Sequence, residues 1–376
     1  MNKHLLAAAL LSALATSAFA ANVTLYGVVD TGFSFKNTSV DGADDVRTFQ
    51  MKTNQQAGNR VGLKGTEDLG NGFKVGFVLE NGFNEDSGEL AQNGRLFGRE
   101  AIVYLDGAFG QVAFGRTSQL AAGVGSYAIS GGAVNAFSTG WGGVGNWANV
   151  TNGNAARYDN TITYRSPAFA GLLLYAQYSM KTDSKSDTTG TENKASTDRY
   201  YGLGATYRNG AFNAVAIVDS INYKSTEGSA REDDAVSVFV GGGYDFGSFK
   251  ILANGRWFQD AASFSALSFA SPAANTTTDG KLRGVDGYGF NVGVNVPAFG
   301  GIAKAQIGWG HGEYEVEGSQ DAELDILALS AGYIYNFSKR TAVYCAADFK
   351  TGDYNAAAKT GDTDVTEVIV GLTHRF

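Results

Sequence analysis

The sequence is poor in the residues that build metal and catalytic sites and in those that divide a chain into domains. Its 376 residues include one cysteine, three prolines and three histidines. A lone cysteine excludes an intramolecular disulfide, so the chain must be stabilised by other means. Cys345 lies in "TAVYCAADF" on the alternating face of Val343 and Phe349, and reads as a small apolar residue rather than a reactive thiol. Scarce proline and no break in composition argue for one large unit, at a length that ordinarily suggests two or more domains. Beyond the first twenty residues no apolar run approaches the ~18 residues of a helical membrane span. Positive charge is also short: 29 Lys and Arg against 37 Asp and Glu give a net charge of −8, or −9 without Lys3. That balance excludes a phosphate-backbone binder, so nucleic acid is not an expected partner.

The missing chemistry narrows the function further. Apart from His4, only His311 and His374 occur, and neither has a second His or Cys at ligand spacing, so no zinc site is expected. "GLTHRF" and "GWGHGEYEVEG" offer no preorganised cleft for a Ser-His-Asp triad. No P-loop and no strand–GxGxxG–helix unit is found, and no cofactor is expected. The chain is not expected to be an enzyme.

The first twenty residues, "MNKHLLAAALLSALATSAFA", combine a basic start at Lys3, an apolar stretch from Leu5 to Ala15 and a small-residue site at Ala18-Phe19-Ala20. They read as a secretory signal peptide cleaved after Ala20, leaving residues 21–376 as the mature domain.

What the sequence has in excess is glycine, 51 residues, together with 24 phenylalanines and 18 tyrosines. The glycines follow no collagen period, and the aromatics argue against disorder. Period-two segments recur along the mature chain. In "VTLYGVVDTGFSF", Val23, Leu25, Val29, Phe33 and Phe35 share one face, with Thr24, Tyr26, Asp30 and Ser34 on the other. In "FKVGFVLEN", Phe73, Val75, Phe77 and Leu79 oppose Lys74, Gly76, Val78 and Glu80. About sixteen strands are predicted, at 23–35, 59–67, 72–84, 96–106, 109–116, 157–166, 171–181, 199–208, 211–223, 234–246, 248–258, 283–297, 302–315, 322–336, 340–351 and 363–376.

Short connections such as "DGAFG", "RNG" and "AFGG" alternate with long polar ones such as "KTDSKSDTTGTENKASTD". One edge of an antiparallel meander is therefore trimmed and the other elaborated, the layout of an outer-membrane barrel. Closure satisfies every backbone donor and leaves no edge. With about sixteen strands the interior is too wide for side chains to fill, so a water-filled lumen with a polar or glycine-lined wall is expected. The last strand, "TEVIVGLTHRF", would then pair with the first, placing Phe376 at a membrane interface.

Several stretches are specific enough to carry a resemblance: "VTLYGVVDTGF", "NRVGLKGTEDLGNGFKVGFVLENGF", "LFGREAIVYLDGAFGQVAFGR", "RYDNTITYRSPAFAGLLLYAQYS" and the terminal "VGLTHRF". Across essentially the whole mature chain the sequence resembles the general porins of Gram-negative bacteria, in particular their neisserial and β-proteobacterial branch. The resemblance implies an all-β, 16-stranded antiparallel transmembrane β-barrel that assembles as a homotrimer, with the third external loop folded inward as a constriction. It also implies a multi-pass location among outer-membrane lipid and lipopolysaccharide, and a terminal aromatic, Phe376, recognised by the barrel assembly machinery.

The third long connection, about Thr117 to Ala156, is the longest irregular segment, with Trp141 and Trp147 available for packing. From Gly107 to Tyr158 it holds no Asp or Glu, unlike many members of the family. Alternation places Arg60 and Lys64 on the inner face of "NRVGLKG", and Arg157 on that of "RYDNTITYR". By resemblance the constriction arginines are Arg60, Arg99 and Arg157, with Glu80 as the inward acid that holds them; alternation alone does not decide the face of Arg99. Arg116, which shares a face with Val112 and Phe114, is assigned to loop anchoring or a subunit interface. Fixed guanidinium groups in a narrow, low-dielectric passage favour anions, so passive diffusion of small hydrophilic solutes and ions with moderate anion preference is expected. The acidic outer loops "DGADD" and "REDD" oppose this at the mouth, screened beyond about 8–10 Å. Asp41, Asp44 and Asp45 are also hard oxygen donors of the kind calcium takes. The residues leave open a barrel enzyme of the lipase or protease class using His311, and a substrate-specific channel.

Overall fold

The computed structural model describes residues 22–151, 156–225, 231–264, 281–315, 321–356 and 359–376, so the signal peptide expected over residues 1–20 lies outside the described residues. Its strands in chain order are β1 (Thr24–Val40), β2 (Val46–Thr53), β3 (Arg60–Gly70), β4 (Phe73–Gly82), β5 (Glu100–Gly107), β6 (Gly110–Ser118), β7 (Arg157–Arg165), β8 (Leu172–Ser179) and β9 (Arg199–Asn209). There follow β10 (Phe212–Asn222), β11 (Ala235–Asp245), β12 (Lys250–Ala261), β13 (Val285–Ala298), β14 (Gly301–Tyr314), β15 (Ala322–Asn336), β16 (Thr341–Ala356) and β17 (Lys359–Arg375). All neighbours pair antiparallel, and the sheet closes on itself through β1 and β17, from Val28↔Arg375 to Val40↔Thr363.

Seventeen strands make a sixteen-stave barrel because β2 and β3 share one stave. β1 pairs with β2 over Thr31–Thr38 and with β3 over Thr24–Val28. Between the two halves, residues 54–59 leave the wall. Their backbone is held by Asp30, whose carboxylate accepts from the N–H of Gln55 (2.8 Å) and of Gln56 (3.1 Å) and from the hydroxyl of Tyr344 (2.9 Å). The predicted strands match this architecture, but β2 and several strand ends differ, with β1 running to Val40, β16 to Ala356 and β17 beginning at Lys359. β2 was not among them, because "NQQAGN" interrupts the alternation of its stave. The strand predicted over 96–106 begins only at Glu100.

The two faces divide as the alternation requires. On β1, Phe33 and Phe35 are 44% and 46% exposed on the outer face, while Asp30 and Ser34 are buried on the inner one. The short turns form one edge. At the β3–β4 turn, Asn71 and Gly72 both have positive φ (53° and 81°), the left-handed pair that matches the twist of a two-residue hairpin. Each of the seven short turns carries an exposed phenylalanine: Phe73, Phe109, Phe169, Phe212, Phe246, Phe299 and Phe337. Phe376 joins them where the chain ends, its N–H and carbonyl bonded to Gly27. Eight rings on one edge are the aromatic girdle of a membrane barrel.

The inner face departs from expectation on β10–β17, where it carries Ile217, Phe239, Leu252, Ile326 and Ile369, all nearly inaccessible. They are covered by Leu120, Phe137, Trp141, Trp147 and Val150 of the connection between β6 and β7. Trp141 stacks edge-on against Tyr344 (5.6 Å between centroids) and Trp147 against Phe239 (5.4 Å), the packing role the sequence suggested for them.

Candidate functional site

The site is assembled on β1, β3, β4 and β5 by register. Tyr26 pairs with Gly62, Gly62 with Glu80, and Glu80 with Glu100, so one row across four staves carries a tyrosine and two carboxylates. Gly62 is required in that row: a Cβ there would lie 2.4 Å from Cζ of Tyr26, whose ring crosses the position to reach Glu80. Two carboxylates side by side repel, and each is satisfied by its own partners. Glu80 accepts from Nε of Arg99 (2.6 Å) and from the Tyr26 hydroxyl (2.9 Å), with Nε of Arg60 at 3.7 Å. Glu100 accepts from the hydroxyl of Thr117 (2.7 Å) and from the N–H (2.9 Å) and hydroxyl (2.8 Å) of Ser126, in the β6–β7 connection.

Arg60, Arg99 and Glu80 are therefore brought into direct contact. Arg99 sits one residue before β5 and is free of the strand's alternation. Its side chain is 6% exposed and its Nη1 fills space that a side chain at Gly58 would occupy. Arg157 lies within electrostatic reach of Arg99, Glu80, Arg116 and Glu100, and its guanidinium has no ion-pair partner among the described residues. Lys64 lies further toward the short-turn edge and touches the group only through Tyr26, its Nζ 5.3 Å from the ring centroid. Arg116 anchors loops: it donates to the carbonyls of Gly98 (2.9 Å) and Arg157 (3.2 Å) and to the carboxylate of Asp159 (2.6 Å).

Sequence reasoning missed Arg375, which bonds Gln56 (3.2 Å) and, with Tyr26, Arg60, Lys64, Glu80 and Phe376, lines a recess of about 480 Å³. Its inward parity in "GLTHRF" was the available signal. Also missed were the wall donors that grip the backbone of the β6–β7 connection. Lys52 donates to Gly142 (2.7 Å), Asn213 to Ala133 (2.7 Å), Asn254 to Val134 (2.9 Å), Lys304 to Ala136 (2.6 Å) and Gln306 to Gly145 (3.0 Å). The inner-face acids elsewhere stand beside cations: Glu367 with Lys52, Asp219 with Arg256 (3.0 Å) and Asp348 with Lys350 (3.0 Å).

Outside this cluster, His311 pairs with Asp325 (3.1 Å) beside Tyr288 and Trp309. Asp45 pairs with Arg47 (3.5 Å) and Asp41 accepts from the N–H of Asp362 (3.2 Å). Among the described residues no three His, Cys, Asp or Glu side chains converge as metal ligands.

Residues 7–374 match the family model described as Gram-negative porin. The chain is 32% identical to an outer membrane porin protein of Bordetella pertussis and 29% identical to outer membrane porin protein 32 of Delftia acidovorans, with 100% of both chains covered in each case. Among solved structures, the anion-selective porin from Comamonas acidovorans superposes with a TM-score of 0.65 at 24% identity, covering 94% of this chain and 99% of that one.

Proposed function

Because the chain belongs to the Gram-negative porin family and is a multi-pass protein of the outer membrane, we propose that it forms a water-filled passage for the passive diffusion of small hydrophilic solutes and ions, with moderate preference for anions. The β6–β7 connection is the inward-folded loop that narrows this passage. Its support is the set of bonds from inner-face side chains of β2, β10, β12 and β14 to loop carbonyls. The assembly is a trimer, the leader is removed, and Phe376 serves as the assembly signal.

The observation that carries the anion preference is the grouping of Arg60, Arg99 and Arg157 about Glu80 and its neighbour Glu100, beside a loop without Asp or Glu. Three arginines stand against two carboxylates, Glu80 and Glu100, and with Glu80 held by Arg99 and Arg60 the guanidinium of Arg157 supplies the surplus field. At ~6 Å in a water-like medium one unit charge changes an ion's energy by about 0.7 kcal/mol, roughly threefold in occupancy. In planar bilayers under a potassium chloride gradient, the reversal potential should favour chloride, and Arg157→Gln, which lowers chloride and raises potassium occupancy about threefold each, should reduce that preference by roughly tenfold. A reversal potential favouring potassium in the unaltered protein would overturn the reading.

A further inference from the structure

The outer wall holds a groove of about 700 Å³ that the passage does not use. Its floor is a single row across five strands, Ile251↔Val294↔Ala305↔Ala331↔Ala347, each residue paired with the next by strand register. The neighbouring row, Val292↔Ile307↔Leu329↔Phe349, forms a taller bank along one side. The three alanine positions at its upper end make the depression. On its other side Tyr333 leaves the space open, because its hydroxyl is tied to the carbonyls of Ala298 (3.1 Å) and Phe299 (3.0 Å) at the β13–β14 turn. The only polar residues lining it are Gln306, Ser330, Asp348 and Thr366, and the first three belong to the inner face.

Four inter-strand steps of ~4.8 Å make the row about 19 Å long. Its lower end, Ile251, is one residue into β12, beside the stacked rings of Phe246 and Phe249 (4.7 Å) in the aromatic girdle. Its upper end, Ala347, is six residues into β16, so the row climbs from the girdle toward the middle of the hydrocarbon layer. The groove is thus continuous with the membrane interface at one end, narrow, uncharged and as long as half the membrane is thick. A protein interface of stable size buries ~1,200 Å² or more, which one shallow row does not provide.

We propose that this groove holds one acyl chain of a phospholipid from the periplasmic leaflet of the outer membrane, with its glycerol ester level with Phe246 and Phe299. The inference is independent of the passage and of its selectivity.

The test is native mass spectrometry of the full oligomer, released from detergent after incubation with dipalmitoylphosphatidylethanolamine. The variant Ala305→Phe/Ala331→Phe fills the floor, and Ala216→Phe places the same ring on the exposed outer face of β10 as a control. The unaltered protein and the control should retain the phospholipid. The filled variant should lose about tenfold in retention, the equivalent of roughly two methylenes left unburied. Equal retention in all three, or none in the unaltered protein, overturns the proposal. A filled variant that falls apart into single chains while the control stays assembled also overturns it, by making the groove a contact between copies.

Discussion

The carboxylate of Glu80 holds the guanidinium of Arg99 at 2.6 Å, with both side chains nearly closed off from solvent. Breaking a buried pair by removing one partner strands the other, at a cost of about 3–5 kcal/mol. Glu80→Gln is therefore expected to lower the thermal midpoint of the purified oligomer, read by loss of the folded band on unheated gels. It should also push the reversal potential further toward chloride. Arg99→Gln should cost comparable stability with a smaller shift in selectivity than Arg157→Gln. An Arg99 variant that outranks the Arg157 variant in the electrical measurement would refute this division of labour.

The closure seam gives a second expectation. The ring of Phe376 covers Gly27, where a Cβ would lie 2.2 Å from Cζ. Gly27→Ala forces the ring or the terminal strand to move, and should lower the yield of folded barrel in detergent refolding. Combining it with Phe376→Ala removes the clash and should recover part of that loss in vitro. If Gly27→Ala folds as well as the unaltered chain, the ring is not seated as described.

The wall donors to the β6–β7 connection bear on its mobility. Lys304 bonds the carbonyl of Ala136, and Lys52 bonds that of Gly142. Each neutral hydrogen bond contributes ~1 kcal/mol and charged ones about 1.5–3 kcal/mol. Lys52→Met/Lys304→Met should therefore loosen the segment and multiply brief closures in single-channel recordings. Lys304→Arg should remain quiet. An unchanged closing frequency in the double variant would show that apolar packing alone fixes the segment.

Acidification should act late at one outer-loop junction. Asp183 is pushed up by partial burial, but the N–H groups of Ser186 and Lys185 and the Arg95 guanidinium together bring its carboxyl below the usual range. A depressed carboxyl stabilises above its unfolded value and loses that contribution as pH falls through the folded one. Docking of the 180–198 loop onto Arg95 should therefore persist at neutral and mildly acidic pH. It should weaken only below the ordinary range of ~4. Hydrogen exchange of that loop across pH 7 to 3 checks this, and Arg95→Gln should move the transition upward.

Much of this was legible because a barrel wall obeys one rule, period two, over most of its length. The inward side of Arg60 and Lys64 followed from alternation, and the pairing of the last strand with the first from closure of the barrel. The rule fails where the chain leaves the sheet. Arg99 precedes β5 by one residue, so parity could not place it; the carboxylate of Glu80, on the next stave, does. β2 was lost because residues 54–59 interrupt its stave, and their stability depends on Asp30 and Tyr344, distant in sequence. The inward isoleucines and phenylalanines of β10–β17 contradict a polar lining until the β6–β7 connection is laid against them. Lys52 and Lys304 gave no signal because their partners are backbone carbonyls, which leave no trace in composition.

The eight phenylalanines on the short-turn edge also set how deep the molecule sits. Sliding the barrel vertically would carry all of those rings into water or into hydrocarbon together, so that edge is fixed. The 17-residue strands β1 and β17 run about 56 Å, or roughly 43 Å of height at a 40° tilt, against an apolar band of about 25 Å. With the lower edge pinned, the surplus must all stand above the membrane, as a stiff collar facing the cell's surroundings on the side of the barrel where the chain begins and ends.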